Sequence, residues 1–262
     1  QTIINRNVAM PRTMLTDDAW EILKELLKES GRVYNKYEHR NTLEGILYRM
    51  RTGIQWRDLP SEFGLWNTVY RRFNLWSKKG ILQKLFESLA SEGDPEWLFL
   101  DGSIVKAHQD SSGTAGKQDE AIGKSRGGNS TKIHLAVDSG GLPVYFELSG
   151  GQVNDIVHAQ SLIINSPQAD IVCADKGYDS EALRAYVDSK GGETVIPKRN
   201  YGQDIDKESM DWCLYKYRHL VENAFARIKH FRAISTRYDK LARNYASMVS
   251  LAFTIMWLPM YC

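Results

Sequence analysis

The sequence is poor in cysteine, in proline and in long apolar runs, and each shortage excludes a class of protein. Only 3 of its 262 residues are cysteines and only 7 are prolines. The cysteines, Cys173, Cys213 and Cys262, are far apart and form no CxxC pair, so neither a zinc site nor a disulfide framework is indicated. The most apolar stretch, Leu251 to Leu258, is far shorter than the roughly 20 residues of a membrane span. No membrane partner is expected.

The N-terminal segment lacks the long apolar core of a secretory signal. Translation could begin at Met10, which would leave residues 1–9 as an upstream extension. Together with the sparse cysteines, this indicates a reducing, cytoplasmic environment.

Net charge is only +2, but the charges are unevenly distributed. Residues 10–90 contain 14 Lys/Arg against 10 Asp/Glu, and residues 216–243 contain 8 against 2. The middle, residues 91–215, contains 11 against 20. Basic flanks favour phosphate backbones, and an excess of carboxylates is tolerated where some bind divalent cations. Solvated helix faces would explain each block equally well on its own.

The N-terminal third predicts three helices. The first covers residues 16–29, and the second begins near Asn41, with Glu44 completing a capping box, and ends at Gly53. The third follows Gly64.

The second and third of these helices, joined by a short connector, resemble a helix-turn-helix. In such a unit Arg71 and Arg72, on the third helix, would reach base edges or phosphates. The same helix has an aromatic stripe that includes Trp66, Phe73 and Trp76. A stripe at helical spacing is usually core, so a plain helical packing domain explains the pattern as well.

After Pro95 the pattern changes to strands alternating with helices, which predicts an α/β fold. The predicted strands are residues 97–102, 132–138, 143–150, 169–175 and 193–198, with helices at 155–165 and after Ser180. We expect a mixed five-stranded sheet flanked by helices.

A Gly- and Ser-rich segment, residues 111–130, connects the first two strands and is long enough to suggest a mobile functional loop. Lys124 and Arg126 lie in it and are candidates for DNA contacts, with simple solvation as the alternative. It is not a nucleotide loop, because a Walker motif needs glycine where Gln118 stands.

Two carboxylates follow buried strands. Asp101 follows the apolar run Trp97 to Leu100, and Asp175 follows Ile171 to Ala174. Both are expected where a strand reaches the sheet edge, from which they can point into one crevice. Taken singly, an Asp after a strand is more often a turn former or a helix cap.

A third element, YKYRHLVENAFARIK, has helical periodicity. It brings Tyr215, Arg218, Glu222 and Lys229 to one face, within a sector of about 60°. The alternative is an exposed stripe with an Arg218–Glu222 ion pair worth a few tenths of a kcal/mol. His108, Asp110, His134 and Asp138 match no compact metal motif, and strand or turn roles explain them better.

The spacing Tyr-x2-Arg-x3-Glu-x6-Lys resembles the signature of DDE transposases from the bacterial insertion-sequence families four and five. The segments LPSEFGLWNTVYRRFNLW, GKSRGGNSTKIHLAVD and ADKGYDS are similar to parts of the insertion-sequence-five family. The resemblance implies that Asp101, Asp175 and Glu222 form the acidic triad. It also implies a ribonuclease-H-like catalytic domain over residues 95–262, with an insertion near 200–214, after a helical, helix-turn-helix-like DNA-binding domain over residues 10–90.

That family resemblance implies two Mg²⁺ ions, for which Mn²⁺ can substitute, bound by Asp101, Asp175 and Glu222. Clustered carboxylates repel one another unless cations neutralise them, and two ions can serve both DNA cleavage and strand transfer. Arg218 and Lys229 would contact phosphate, with Tyr215 nearby.

The expected partners are double-stranded DNA, namely terminal inverted repeats and target DNA, and a second copy of the chain in a synaptic homodimer. The expected location is the nucleoid of a bacterial cytoplasm. Two alternatives stay open, a metal-dependent nuclease without strand transfer and a catalytically decayed DNA-binding protein derived from a transposase.

Overall fold

A computed structural model describes residues 12–30, 38–94, 96–111, 121–199 and 210–260. The proposed upstream extension, part of the Gly-rich segment and most of the predicted insertion near residues 200–214 lie outside these ranges.

The described residues contain the predicted helices and strands in the predicted order, together with further elements that were not predicted. The helices are α1 (Asp17–Glu29), α2 (Glu38–Thr52), α3 (Trp66–Lys78), α4 (Ile81–Ala90), α5 (Ile156–Ile164), α6 (Glu181–Ser189), α7 (Trp212–Tyr215), α8 (His219–Lys229), α9 (Arg232–Ser235) and α10 (Ala242–Trp257). The strands are β1 (Trp97–Ala107), β2 (Gly123–Ser125), β3 (Gly128–Val137), β4 (Pro143–Gly150), β5 (Ile171–Ala174), β6 (Glu193–Val195) and β7 (Thr236–Arg237).

A mixed sheet of seven strands forms the centre of the molecule. Strand β1 pairs antiparallel with β3, which also pairs antiparallel with β2 and β4. On its other side β1 pairs parallel with β5, which pairs parallel with β6. The prediction of an α/β protein with a mixed sheet after a helical N-terminal region is confirmed. The sheet has two more strands than the five predicted, the short β2 and β7.

The first predicted helix is confirmed, and the start predicted for the second is wrong. At the start of α1 the Thr16 hydroxyl accepts the backbone N–H of Ala19 at 3.1 Å. Helix α2 is already helical at Glu38, so Asn41 lies inside it. Its Glu44 completes no capping box, because the carboxylate accepts the backbone N–H groups of Met14 and Leu15 at 2.8 and 2.9 Å.

The connector between α2 and α3 is longer than expected. It covers residues 53–65 and contains two 3-10 turns, Trp56–Asp58 and Ser61–Phe63. The turn of a helix-turn-helix motif has only about 3 to 4 residues. The length of this connector therefore gives no support to a helix-turn-helix motif. DNA binding by these helices stays a prediction.

The N-terminal helices share one buried core with the sheet. Phe86 of α4 packs against Phe253 of α10 and Phe146 of β4, with ring centroids 5.4 and 5.9 Å apart. Arg49 of α2 and Asp239, beyond β7, form a buried ion pair at 3.3 Å. The domain boundary predicted near residues 90–95 is thus crossed by both apolar and ionic contacts, and it stays a prediction.

The last long helix belongs to this core. Most of α10 is buried. Within the described part of the chain, no helix has the length and apolar character needed to cross a bilayer.

Candidate active site

Asp101 lies in the middle of β1, and its predicted position at the end of a strand is wrong. The strand continues because it pairs with β3 as far as Lys106. The parallel neighbour β5 ends at Ala174, which is level with Leu100. Asp101 and Asp175 are the next residues along the two strands, so the register puts them side by side.

The sheet is open beside this part of β1. Beyond Leu100 no described strand borders β1 on the β5 side until β7 pairs with Lys106 and Ala107. Residues 101–105 therefore border a gap of about 16 Å along the strand, at roughly 3.3 Å per residue. No strand of the described residues therefore pairs with this side of residues 101–105.

Asp101 has an acidic and largely buried environment. One of its oxygens accepts the backbone N–H of Gly102 at 2.8 Å, and the other lies 3.4 Å from the Arg218 guanidinium. The pKa of the Asp101 carboxyl is raised, mainly because the group is buried. The negative charges of Asp175 and Asp155 raise it further. The hydrogen bond from Gly102 and the charge of Arg218 lower it, but only in part. A carboxylate in this position favours a nearby cation.

Asp175 also has the alternative role considered from the sequence. Its Oδ1 accepts the backbone N–H of Gly177 at 2.7 Å, which caps the 3-10 turn Lys176–Tyr178. Using one oxygen in a turn fixes the orientation of the carboxyl group. Turn former and ligand are therefore compatible roles for Asp175.

The segment that carries the signature residues is not one continuous helix. Helix α7 ends at Tyr215, the 3-10 turn Lys216–Arg218 follows, and α8 begins at His219. Even so, Arg218 and Lys229 both contact β1, and Glu222 and Tyr215 lie beside Arg218.

Arg218 is the centre of the site. Its guanidinium contacts Asp101 and forms a close ion pair with Glu222, and it lies 6.0 Å from the centroid of the Tyr215 ring. Burial lowers the pKa of Arg218, but Asp101, Glu222, Tyr215 and Asp175 outweigh it and raise that pKa. The Arg218–Glu222 pair suggested by the spacing therefore forms, and it extends to Asp101.

Lys229 lies further along the same face of β1. Its ammonium group donates to the Ser103 hydroxyl at 2.6 Å, and Ser103 and Asp101 lie on the same face because they are two residues apart in one strand. The Glu222 side chain is 51 % exposed, so it is accessible to a substrate.

The other predicted DNA contacts lie elsewhere. Lys124 is exposed on β2, and Arg126 is exposed in the turn between β2 and β3. Arg71 is exposed on α3, whereas Arg72 lies over the Trp76 ring at 6.0 Å. None of the contacts in the described part of the chain joins these four cations to the triad.

Three of the four weaker candidates have local structural contacts. His108 and Asp110 lie 3.3 Å apart next to β1. Asp138 accepts the backbone N–H groups of Leu142 and Asp94 at 2.8 and 3.1 Å, as expected for a turn residue.

The donor chemistry at the triad fits a hard divalent cation, because Mg²⁺ prefers carboxylate oxygens. Among the described residues, however, no three His, Cys, Asp or Glu side chains are already arranged to hold a metal ion. Arg218 lies between Asp101 and Glu222 and supplies the positive charge there.

Asp155 was missed in the sequence. It precedes α5 and approaches β1 at Gly102, the residue after Asp101. The available signal was the glycine itself, because a glycine inside a strand often marks the close approach of another group.

Comparison with known proteins decides the family. Residues 92–257 match the family described as "Transposase DDE domain", and residues 15–86 match "Putative transposase of IS4/5 family". This chain belongs to the DDE transposases of the IS4/5 family. The resemblance stated from the sequence is thereby confirmed, and membership implies a transposase-type enzyme that depends on a divalent metal ion.

Curated relatives of this DDE transposase match about half of it. The "Putative transposase for insertion sequence element IS6501" of Brucella ovis is 34% identical over 128 residues, which are 49% of this chain and 98% of the relative. The uncharacterised protein y4sN of Sinorhizobium fredii is 31% identical over 128 residues, 48% of this chain and 96% of the relative. Among solved structures, a piggyBac transposase synaptic complex with hairpin DNA has a TM-score of 0.47 at 11% identity, covering 96% of this chain and 67% of that one.

Proposed function

We propose that this DDE transposase binds the terminal inverted repeats of an insertion sequence and catalyses Mg²⁺-dependent strand cleavage and strand transfer. The observation that supports it is the pairing of Arg218 with both Asp101 and Glu222, while Asp175 follows the strand next to Asp101 and contributes to the raised pKa of Arg218. We also infer a ribonuclease-H-like catalytic domain over residues 95–262 and a DNA-binding role for residues 10–90.

In this proposal Asp101 and Asp175 are shared ligands of two Mg²⁺ ions, and Glu222 binds or positions the second. When bound, the ions activate the attacking oxygen and stabilise the leaving oxygen of an in-line displacement. The same carboxylates can then serve cleavage by water and joining by the released 3′-hydroxyl. Mn²⁺ has similar ligand preferences and can substitute.

The cations of the site would bind DNA. Arg218 presents a planar set of donors suited to phosphate, and it becomes available to phosphate once ions replace it as the partner of the carboxylates. Lys229 would bind phosphate further along β1, with Tyr215 beside Arg218. Lys124, Arg126, Arg71 and Arg72 would contact DNA away from the cut.

Two chains would act together, because the two ends of an element must be cut and joined in one event. The substrates would be the two inverted repeats and the target DNA, which places the protein at the bacterial nucleoid.

The test uses the full chain and labelled DNA that carries the inverted repeats flanking its own coding region, with a target plasmid. We expect Mg²⁺-dependent cleavage and joined products, both lost in EDTA. Asp175→Asn should abolish cleavage and retain DNA binding, with Asp188→Asn, on the exposed side of α6, as the matched control.

The alternatives give different results. Cleavage without joined products would indicate a nuclease that lacks strand transfer. DNA binding without cleavage by the unaltered chain would indicate a decayed transposase. Unchanged cleavage by Asp175→Asn would reject the assignment of the triad.

A further inference from the structure

Asp155 occupies the space that a side chain at position 102 would fill. A Cβ atom built on Gly102 would lie 1.9 Å from Asp155 Oδ1 and 2.8 Å from its carboxyl carbon. Any residue other than glycine would therefore displace the carboxylate. Since Gly102 directly follows Asp101, Asp155 packs against the backbone that carries the first carboxylate of the triad.

Asp155 is at the N-cap position of α5 but does not cap that helix. Its side chain makes no capping hydrogen bond, although an Asp cap contributes about 1 kcal/mol in a typical helix. Instead the carboxylate accepts Lys132 Nζ at 3.1 Å, and the same ammonium group donates to the Val153 carbonyl at 2.8 Å. The carboxylate therefore points towards the sheet and leaves the first turn of α5 without a side-chain cap.

A second group from β3 faces the same carboxylate. His134 Nδ1 lies 3.4 Å from Asp155 Oδ1, and neither atom has a hydrogen-bond partner among the described residues. His134 is fully buried, and burial lowers the pKa of its imidazole. Its Nε2 lies 2.8 Å from the Ser149 hydroxyl, and its ring stacks on His158 at 4.0 Å. These contacts hold the ring beside Asp155.

The partners of Asp155 lie beside the strand segment that carries Asp101. Lys132 and His134, on β3, lie opposite Ile104 and Gly102 in the β1–β3 register. The network thus borders the strand segment that carries Asp101.

We propose that Asp155 is a positioning residue of the metal centre, which through its packing on Gly102 and its contacts with Lys132 and His134 fixes the backbone of Asp101. The inference rests on the proposed function, because it concerns the same triad. Residues that orient the ligands of a metal typically affect metal affinity or activity by about 10- to 100-fold when replaced.

The experiment measures Mn²⁺ binding to the full chain without DNA, by the electron paramagnetic resonance signal of free Mn²⁺. We expect Asp155→Asn to weaken Mn²⁺ binding by about 10- to 100-fold. Gly102→Ala should weaken it similarly, because the added methyl group displaces the carboxylate while Asp155, Lys132 and His134 all remain. The second variant decides the question if the first does not fold.

The matched control is Asp239→Asn. It also removes a carboxylate from a buried ion pair, the one with Arg49, but it lies away from the triad. Thermal unfolding without metal should show that both Asn variants are destabilised, whereas only Asp155→Asn loses Mn²⁺ affinity. A purely structural role for Asp155 predicts equal Mn²⁺ binding by the two.

Asp101→Asn separates this inference from the proposed function. If the unaltered chain binds no Mn²⁺, or binds it as well with Asp101→Asn, the proposed metal centre is wrong. If binding depends on Asp101 but is unchanged in Asp155→Asn and in Gly102→Ala, the centre stands and the role of Asp155 is overturned.

Discussion

A single guanidinium balances much of the negative charge at the active site. Arg218 contacts Asp101 and Glu222, and Asp175 also contributes to the rise in its pKa. Without a cation the three carboxylates would repel one another. In the proposed metal centre, Arg218 and the divalent ions would therefore compete for the same oxygens.

Arg218→Gln should lower the free energy of unfolding without metal by about 1.5 kcal/mol, the contribution of a hydrogen bond to a charged group. Added Mg²⁺ should then raise the unfolding midpoint more than it does in the unaltered chain. Thermal unfolding in EDTA and in Mg²⁺ measures both effects, with Arg227→Gln, exposed on α8, as control. A smaller Mg²⁺ response would contradict the competition.

Helical periodicity predicts contacts within one segment of the chain, but not contacts between distant segments. Periodicity put Arg218 and Glu222 on one face, and the structure agrees. Residue spacing within one helix cannot predict the contact between Arg218 and Asp101, which are 117 residues apart in the chain. That step came from the family resemblance, because long-range contacts depend on the whole fold.

At the scale of elements, predictions succeeded where a pattern was long. The sequence pattern predicted β1, β3, β4, β5 and β6, although β6 ends at Val195 and the pattern continued to Lys198. Strands β2 and β7 have three and two residues, too few for an alternating pattern. The extension of β1 beyond Gly102 was missed because its last residues are mixed in polarity, and pairing with β3 maintains the strand there.

The 3-10 turn before α8 was not predicted from the sequence, for a different reason. A 3-10 turn has about 3.0 residues per turn against 3.6 in an α-helix. Over the three residues Lys216–Arg218 the difference is too small to move Arg218 off the face that periodicity predicts.

Hydrogen bonds to Glu147 join α5 to β4. Glu147 of β4 accepts the hydroxyl of Ser161 and lies 2.5 Å from His158 Nδ1, both on α5. Burial raises the pKa of Glu147, but the hydrogen bonds from Ser161 and His158 outweigh it and lower that pKa. Its stabilising effect is therefore complete above its ordinary pKa of 4.5 and is lost as the pH falls through the lowered folded-state value.

Urea unfolding of the unaltered chain and of Glu147→Gln at several pH values tests this. The unaltered chain should be the more stable at pH 7, and the difference should shrink as the pH falls below about 4.5. A difference that does not change with pH would mean that Glu147 contributes through shape and not through charge.

At the scale of the whole molecule, the N-terminal helices and the catalytic sheet are joined through α10. Phe86 contacts both Phe253 and Phe146, and Arg49 pairs with Asp239. The sequence could not predict these contacts, because charge and composition suggested two separate regions. We expect the described regions to unfold as one unit.

Asp239→Asn tests this coupling. Removing one partner of a buried ion pair leaves an uncompensated charge, which costs about 3 to 5 kcal/mol, so the loss of stability should be of that size. Both regions should still unfold in a single transition in urea, monitored by tryptophan fluorescence and by circular dichroism. Two separate transitions would show that the helices and the sheet are independent.

The length of the apolar run before Asp101 has a consequence for variation in this chain. Successive side chains of a strand point to opposite faces, so removal of one residue between Trp97 and Leu100 would turn the aspartate towards α5 and present glycine to α8. Exchanging one apolar residue of this run for another does not change which face of the sheet each side chain occupies. Insertions and deletions in this short run should therefore be far more damaging than substitutions.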